Sequence, residues 1–348
     1  TDRILGFDLR EAFADDELTT FSDNPAQADK VAVVRDCLKC HATTLPPESA
    51  ISGIVDKQIP EPTTPPVALS LGVSCEACHG PGKAWFDLHS IPYWRLVPGD
   101  EKLKYGLRDL RDPVLKAQLC ASCHVGNLEQ GKFVKHEWYA NGHPPLPSFE
   151  LSSFAEQMPG HWIPLSQKGD FAGRTADSPA IESVAKTASR AAFKGEIGDI
   201  LAESFLQANF RPDIKADPFT QLPRFQEALI GGVVSFQSHT SLLTAMDQPQ
   251  PGSAFPFPDF SYFDCMACHH ELKSSATGII RPIRRGIAGR PPLPLWPTMF
   301  LKAAVAHRAI SHGKDLAAET AVAEELLGNL ELAMTKRPFG DPTETAKA

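Results

Sequence analysis

Cys37-Leu-Lys-Cys40-His41, Cys75-Glu-Ala-Cys78-His79, Cys120-Ala-Ser-Cys123-His124 and Cys265-Met-Ala-Cys268-His269 are four copies of one pattern, Cys-x-x-Cys-His. Together they use every cysteine in the chain. Two thiols three residues apart can form thioethers to the two vinyl groups of one porphyrin, and the next histidine reaches the iron from the proximal side. Random placement of 8 cysteines and 12 histidines in 348 residues would give about 0.006 such motifs. The four copies point to four covalently bound haem c groups, with His41, His79, His124 and His269 as proximal iron ligands.

Other uses of paired cysteines fit less well. A disulfide framework suits a short secreted domain and would not place a histidine after every second cysteine. Zinc knuckles need two Cys-x-x-Cys pairs close together and no histidine at each copy. A thioredoxin-like redox pair would occur once, at the start of a helix after a strand.

Composition bounds the setting. Hydrophobic content of 42% and charged content of 22% are ordinary for a globular chain. No run approaches the length of a spanning helix, and no signal-peptide core opens the sequence. Haem is attached outside the cytoplasm, so a bacterial periplasmic or cell-surface location is expected, with a signal peptide removed before Thr1. A net charge of −8, made more negative by propionates, argues against nucleic acid. Arg281, Arg284, Arg285 and Arg290 form a local basic segment, read either as a partner for propionates or an acidic surface, or as a solvated loop.

Along the chain, three regions are expected: a haem-rich domain with three motifs (1–165), a helical segment shielding haems (166–250), and the fourth motif with C-terminal helices (251–348). Prolines between His143 and Pro164 read as an extended wrap. Helical spacing appears over Ile181–Lys194, Ile197–Asn209, Phe225–Met246, Thr298–Ser311 and Leu316–Lys336. Strand signals are nearly absent, with only short runs such as Val31–Val34. The fold class is mostly α with extensive irregular chain, a tetrahaem cytochrome c architecture with closely packed haems.

The motifs specify one face of each iron, and the other face decides between carrier and catalyst. Eight histidines remain for four distal positions. The leading distal candidates are His89, beyond the Gly80-Pro81-Gly82 hinge, then His136, His143 and His161. His136 and His143 are two helical turns apart, so they could serve different haems. His239, His270 and His307 rank lower. His239 shares a helix face with Phe236, Leu242 and Leu243, and a buried neutral imidazole is its competing explanation. His307 is similar, in line with Phe300, Ala303 and Ile310. His312 reads as solvent-facing, and Met158 is a weak alternative ligand.

Gly72-Val-Ser-Cys75-Glu-Ala-Cys78-His79-Gly80-Pro81-Gly82, with Trp85 and His89, resembles a family of multihaem c-type cytochromes related to the tetrahaem electron acceptor of hydroxylamine oxidoreductase. Asn141-Gly142-His143-Pro144, Met158-Pro-Gly-His161-Trp162 and Cys265-Met-Ala-Cys268-His269-His270-Glu271-Leu272 add to the likeness, which covers roughly residues 37–165 and 260–296. It implies closely packed haems and electron transfer, sometimes with one five-coordinate haem. The chain departs from the family in having no histidine in residues 1–36.

The leading expectation is an extracytoplasmic carrier passing electrons between donor and acceptor redox proteins, alone, as an oligomer or as a subunit of a larger redox complex. The alternative is a multihaem oxidoreductase acting on a small nitrogen or sulfur species at one five-coordinate haem.

Overall fold

The computed structural model describes residues 27–55, 72–90, 94, 99–108, 110, 112–140, 142–158, 172–174, 178–179, 181, 183, 223–245, 259–269, 274–275, 278–279, 290–294, 296–336 and 340–348. His161, His270, the helical segments beyond Ser183 up to Asn209, and the basic segment before Arg290 therefore lie outside the described residues. The described chain is mostly helical, as expected. Its strands are β1 (Ser274–Ser275) and β2 (Gly278–Ile279), one short antiparallel pair. Two compact units can be distinguished.

The first unit contains residues 1–73, 117–150 and 229–348. It opens with α1 (Gln27–His41), followed by α2 (Glu48–Val55). Val31, Val34 and Leu38 are spaced three and four apart and are buried against Ile51 of α2. That spacing puts them on one helix face, and burying them outweighs the weak β preference of the valines. Val31–Val34 is therefore helical, and the helix delivers Cys37, Cys40 and His41 in its last turns.

In the second unit, residues 74–116 and 151–228, α3 (Cys75–His79) carries the second motif and α4 (Gly99–Lys104) follows. Gly80 ends α3 with φ +80, and a side chain there would place its Cβ 2.5 Å from the Gly106 carbonyl oxygen. Only glycine tolerates both constraints.

The third motif ends α5 (Pro113–His124), which opens on a Pro at its first position and on Asp112, whose side chain accepts from the Val114 and Leu115 N–H groups. The short α6 (His136–Ala140) follows. Residues 142–150 are irregular, as the prolines require. Between the two proline groups, however, α7 (Leu151–Gln157) is a two-turn helix, so the expected continuous wrap is interrupted there. The fourth motif occupies a 3-10 turn, Cys265–Ala267.

The C-terminal helices are α8 (Pro223–Ala245), α9 (Trp296–Ser311), α10 (Leu316–Thr335) and α11 (Pro342–Lys347). Leu242, Leu243, Tyr262, Phe263, Leu330 and Met334 form a buried cluster, with Leu128, Phe133, Phe236 and Leu293 packed around it. At Gly232 the α9 residue Phe300 approaches so closely that an added Cβ would lie 2.1 Å from the Phe300 Cβ. Among the described residues, no helix is long and apolar enough to cross a membrane.

Two glycine substitutions test this packing. Gly232→Ala should destabilise by about 1–3 kcal/mol through overpacking. Gly328→Ala, where nothing lies within 4 Å of the added Cβ, should be neutral or stabilise by up to about 1 kcal/mol. Urea denaturation of both variants checks this; equal midpoints would contradict the close approach of α9 to α8.

Candidate haem sites

The first motif ends α1, and its histidine faces a second imidazole. The rings of His41 and His143 stand 6.2 Å apart between centroids, at 69°. Gly142, at φ +99, turns the chain after α6, and the His143 N–H donates to the Trp138 carbonyl at 2.9 Å. His143 Nδ1 lies 2.7 Å from the Pro144 carbonyl oxygen. A carbonyl only accepts, so Nδ1 carries the proton and Nε2 keeps its lone pair.

That spacing can be compared with what an iron would impose. Two metal–imidazole bonds of about 2 Å, each extended by about 1 Å to the ring centre, put coaxial imidazoles about 6 Å apart. The fourth motif has a matching pair: His269 and His136 stand 6.1 Å apart at 32°. Phe260 packs edge-on to His136 at 5.5 Å. Tyr139 stands between the two non-motif histidines, 6.4 Å from His136 and 6.0 Å from His143. The two histidines of Lys135–Pro144 thus face different motifs.

The second motif is built around an indole. Trp85 is buried and stands 6.3 Å from His79 and 5.8 Å from His89. The His89 N–H donates to the Trp85 carbonyl at 2.9 Å, and its Nδ1 donates to the Phe86 carbonyl, which again frees Nε2. Arg108 anchors α3 from its C-terminal end. Its Nη1 donates to the Ala77 and Cys78 carbonyls at 3.0 Å each, and its N–H donates to the His79 carbonyl at 2.8 Å. These carbonyls have no partner within so short a helix, and a cation suits that end.

The third motif lies beside the first. Cys40 and Cys123 are close enough to act on each other, which pushes the Cys40 thiol up and draws Cys123 down. As thioethers neither would titrate, and only the adjacency matters. His41 is held below its ordinary value first by burial, then by the nearby His143 and His124 imidazoles. His124 itself stacks on Phe149 at 5.6 Å and 8°.

Other candidates are placed differently. His239 is buried on α8, with Tyr262 at 6.0 Å and Trp296 at 6.5 Å. Its Nε2 is buried without a hydrogen-bond partner, and desolvation lowers its pKa to about 4. His307 is half-buried on α9, but Ile310, expected on the same packed face, is 68% exposed. His312 and Met158 are exposed. Arg290 donates to the Thr335 and Lys336 carbonyls, so it serves the end of α10.

The donor set fits haem. The Trp85 indole N–H is buried without a partner beside His79 and His89, where a propionate oxygen would take it. The paired imidazoles have the separation that iron requires. No three His, Cys, Asp or Glu residues gather as a site for another metal among the described residues, and no disulfide joins the cysteines.

Residues 13–80 match the family model of cytochrome c554 and c-prime. The matched span includes the first two motifs and supports a multihaem c-type cytochrome that binds haem c covalently and transfers electrons. No curated protein and no solved structure matches the chain.

Trp85 entered the sequence argument only through the family resemblance, and Tyr139 and Phe149 were given no role at the haem sites. Of these two, only Tyr139 leaves a trace in the sequence, three residues after His136 and four before His143.

His239 yields a test of its own. Unfolded, it takes up a proton near pH 6.5; folded, only near pH 4. Between those values the unfolded chain binds the extra proton, so stability falls as pH drops, by about 3 kcal/mol over the whole window. His239→Leu should remove that component of acid sensitivity and leave the ferric absorption spectrum unchanged. A new high-spin band in this variant would make His239 an iron ligand instead.

Proposed function

We propose that the chain is a tetrahaem electron carrier working outside the cytoplasm, in the bacterial periplasm or at the cell surface. The observation that carries this reading is the pair of imidazole separations, 6.2 Å for His41 and His143 and 6.1 Å for His269 and His136. An iron held by two imidazoles has no vacancy for substrate and suits electron transfer.

In this reading His143 and His136 are the distal ligands of the first and fourth motifs. His89 serves the second motif across Trp85, and His161, outside the described residues, remains a distal candidate. Cys37, Cys40, Cys75, Cys78, Cys120, Cys123, Cys265 and Cys268 hold the four porphyrins through thioethers.

Bound haem supplies the one-electron chemistry. The residues of this chain hold the ligand rings and fix their tautomers. The Nδ1 contacts of His143 and His89 keep Nε2 basic and aimed, which tunes affinity and potential. The adjacency of Cys40 and Cys123 supports haems packed edge to edge, close enough for electrons to pass within the chain. The partners are a donor and an acceptor redox protein, and the likeness to the hydroxylamine oxidoreductase acceptor makes a multihaem oxidoreductase one donor class.

His143→Ala tests the reading. It should turn one ferric haem in four high-spin and able to bind cyanide, with the other three unchanged. If every haem stays low-spin in this variant, His143 is not a ligand. If the unaltered protein binds cyanide at one iron, the alternative gains: an oxidoreductase acting on a small nitrogen or sulfur species.

A further inference from the structure

Asp259 lies six residues before the fourth motif and is buried, with 6% of its surface exposed. Its side chain caps the turn Phe260–Tyr262 by accepting from the Ser261 N–H at 2.9 Å. Capping alone does not explain its position. The same oxygen, Oδ1, also accepts from the backbone N–H of His136 at 3.0 Å, across 123 positions of sequence. The Ser261 hydroxyl lies 2.5 Å from Oδ1 and 3.0 Å from the Val134 carbonyl oxygen, so its one proton serves two acceptors.

The carboxylate thus joins the chain leading into the fourth motif to the first residue of α6, where His136 begins. Each of its contacts is a neutral donor. Among the described residues no cation pairs with it; Lys135, next to His136, pairs with Glu137 at 3.6 Å instead. Tyr262, desolvated first, is raised further by Asp259 and then by Tyr139, and Asp259 also adds to the rise at Tyr139.

We infer that Asp259 is a positioning residue for the haem of the fourth motif: it fixes His136 through the backbone, and its buried charge holds that haem's reduction potential down. The inference rests on His136 and His269 being the axial pair of that haem. Ferric haem carries one more positive charge than ferrous haem, so a nearby carboxylate favours the ferric form. A unit charge within about 10 Å of a metal centre, at an effective dielectric of about 20, changes a reduction equilibrium on the order of tenfold. For a one-electron couple, tenfold corresponds to about 59 mV.

The experiment is a redox titration of the holoprotein followed by electron paramagnetic resonance, which resolves individual haems. His136→Ala first identifies the haem in question, as the one that becomes high-spin. Asp259→Asn keeps the shape and removes the charge, so it should shift that haem's reduction equilibrium about tenfold toward the ferrous form. Ser261→Ala removes a hydrogen-bond donor and leaves the charge less compensated, so it should shift the same haem about threefold the opposite way. Opposite signs separate a field effect from mere loosening of the turn.

If Asp259→Asn leaves every potential within twofold, or if both variants move the haem in the same direction, the proposal is overturned while the axial pair stands. If Asp259→Asn does not accumulate as folded holoprotein, Ser261→Ala decides alone, a shift toward ferric supporting the proposal and any other result overturning it. If His136→Ala leaves all haems low-spin, the axial pair fails and the proposal with it.

Discussion

An iron atom held between two imidazoles, the arrangement proposed for this chain, constrains a protein more tightly than a hydrophobic contact does. Ring centres must stand about 6 Å apart, with the lone pair of each Nε2 aimed at one point. A motif histidine meets its half of that requirement through covalent neighbours. The other half must be brought from elsewhere in the sequence. In the proposed arrangement it would be brought by one short helix and the turn after it, α6 and Gly142, which set His136 6.1 Å from His269 of the fourth motif and His143 6.2 Å from His41 of the first. Much of the first unit can be read as the support this segment needs: the Trp138 carbonyl that takes the His143 N–H, the Tyr139 ring between the two histidines, and the Asp259 carboxylate beneath His136.

Among the described residues the hydrophobic clusters are local. One cluster fastens α1 to α2, and another joins α8 and α10 around Tyr262 and Phe263. Each lies next to a motif: α1 ends in the first, and Phe263 stands two residues before the fourth. Bound haems would add large apolar surfaces to those clusters, and their burial would stabilise the fold at about 25 cal/mol per Å². Cofactor and core are therefore not separate designs. A chain with 31 prolines and 24 glycines gains from an interior that a rigid, covalently held group can fill.

What could be read from the sequence followed from how local the governing chemistry was. The motif residues are a five-residue signature, so the cofactor class was legible at once; the structure sets the first and third motifs at helix ends and the second on a helix of its own. His136 and His143 were legible as a spaced pair that could serve different haems, but not which motif histidine each would approach, because that depends on contacts across more than a hundred residues. Val31–Val34 was too short to type until its partner Ile51 was known. The helix of Leu151–Gln157 was hidden between prolines that, taken together, suggested extended chain. His239 showed its inward helical face in the sequence, but its partnerless Nε2 could be found only in three dimensions. Asp259 carried no signal in the sequence, since its partner His136 is remote.

The central claim is that motif irons are closed by a second histidine drawn from the rest of the chain. Iron content per chain, measured with quantified electron paramagnetic resonance of the fully oxidised protein, tests it most directly. Four irons per chain are expected, with at least three giving low-spin signals of paired imidazoles. Fewer than four irons, or high-spin signals from two or more of them, would contradict it.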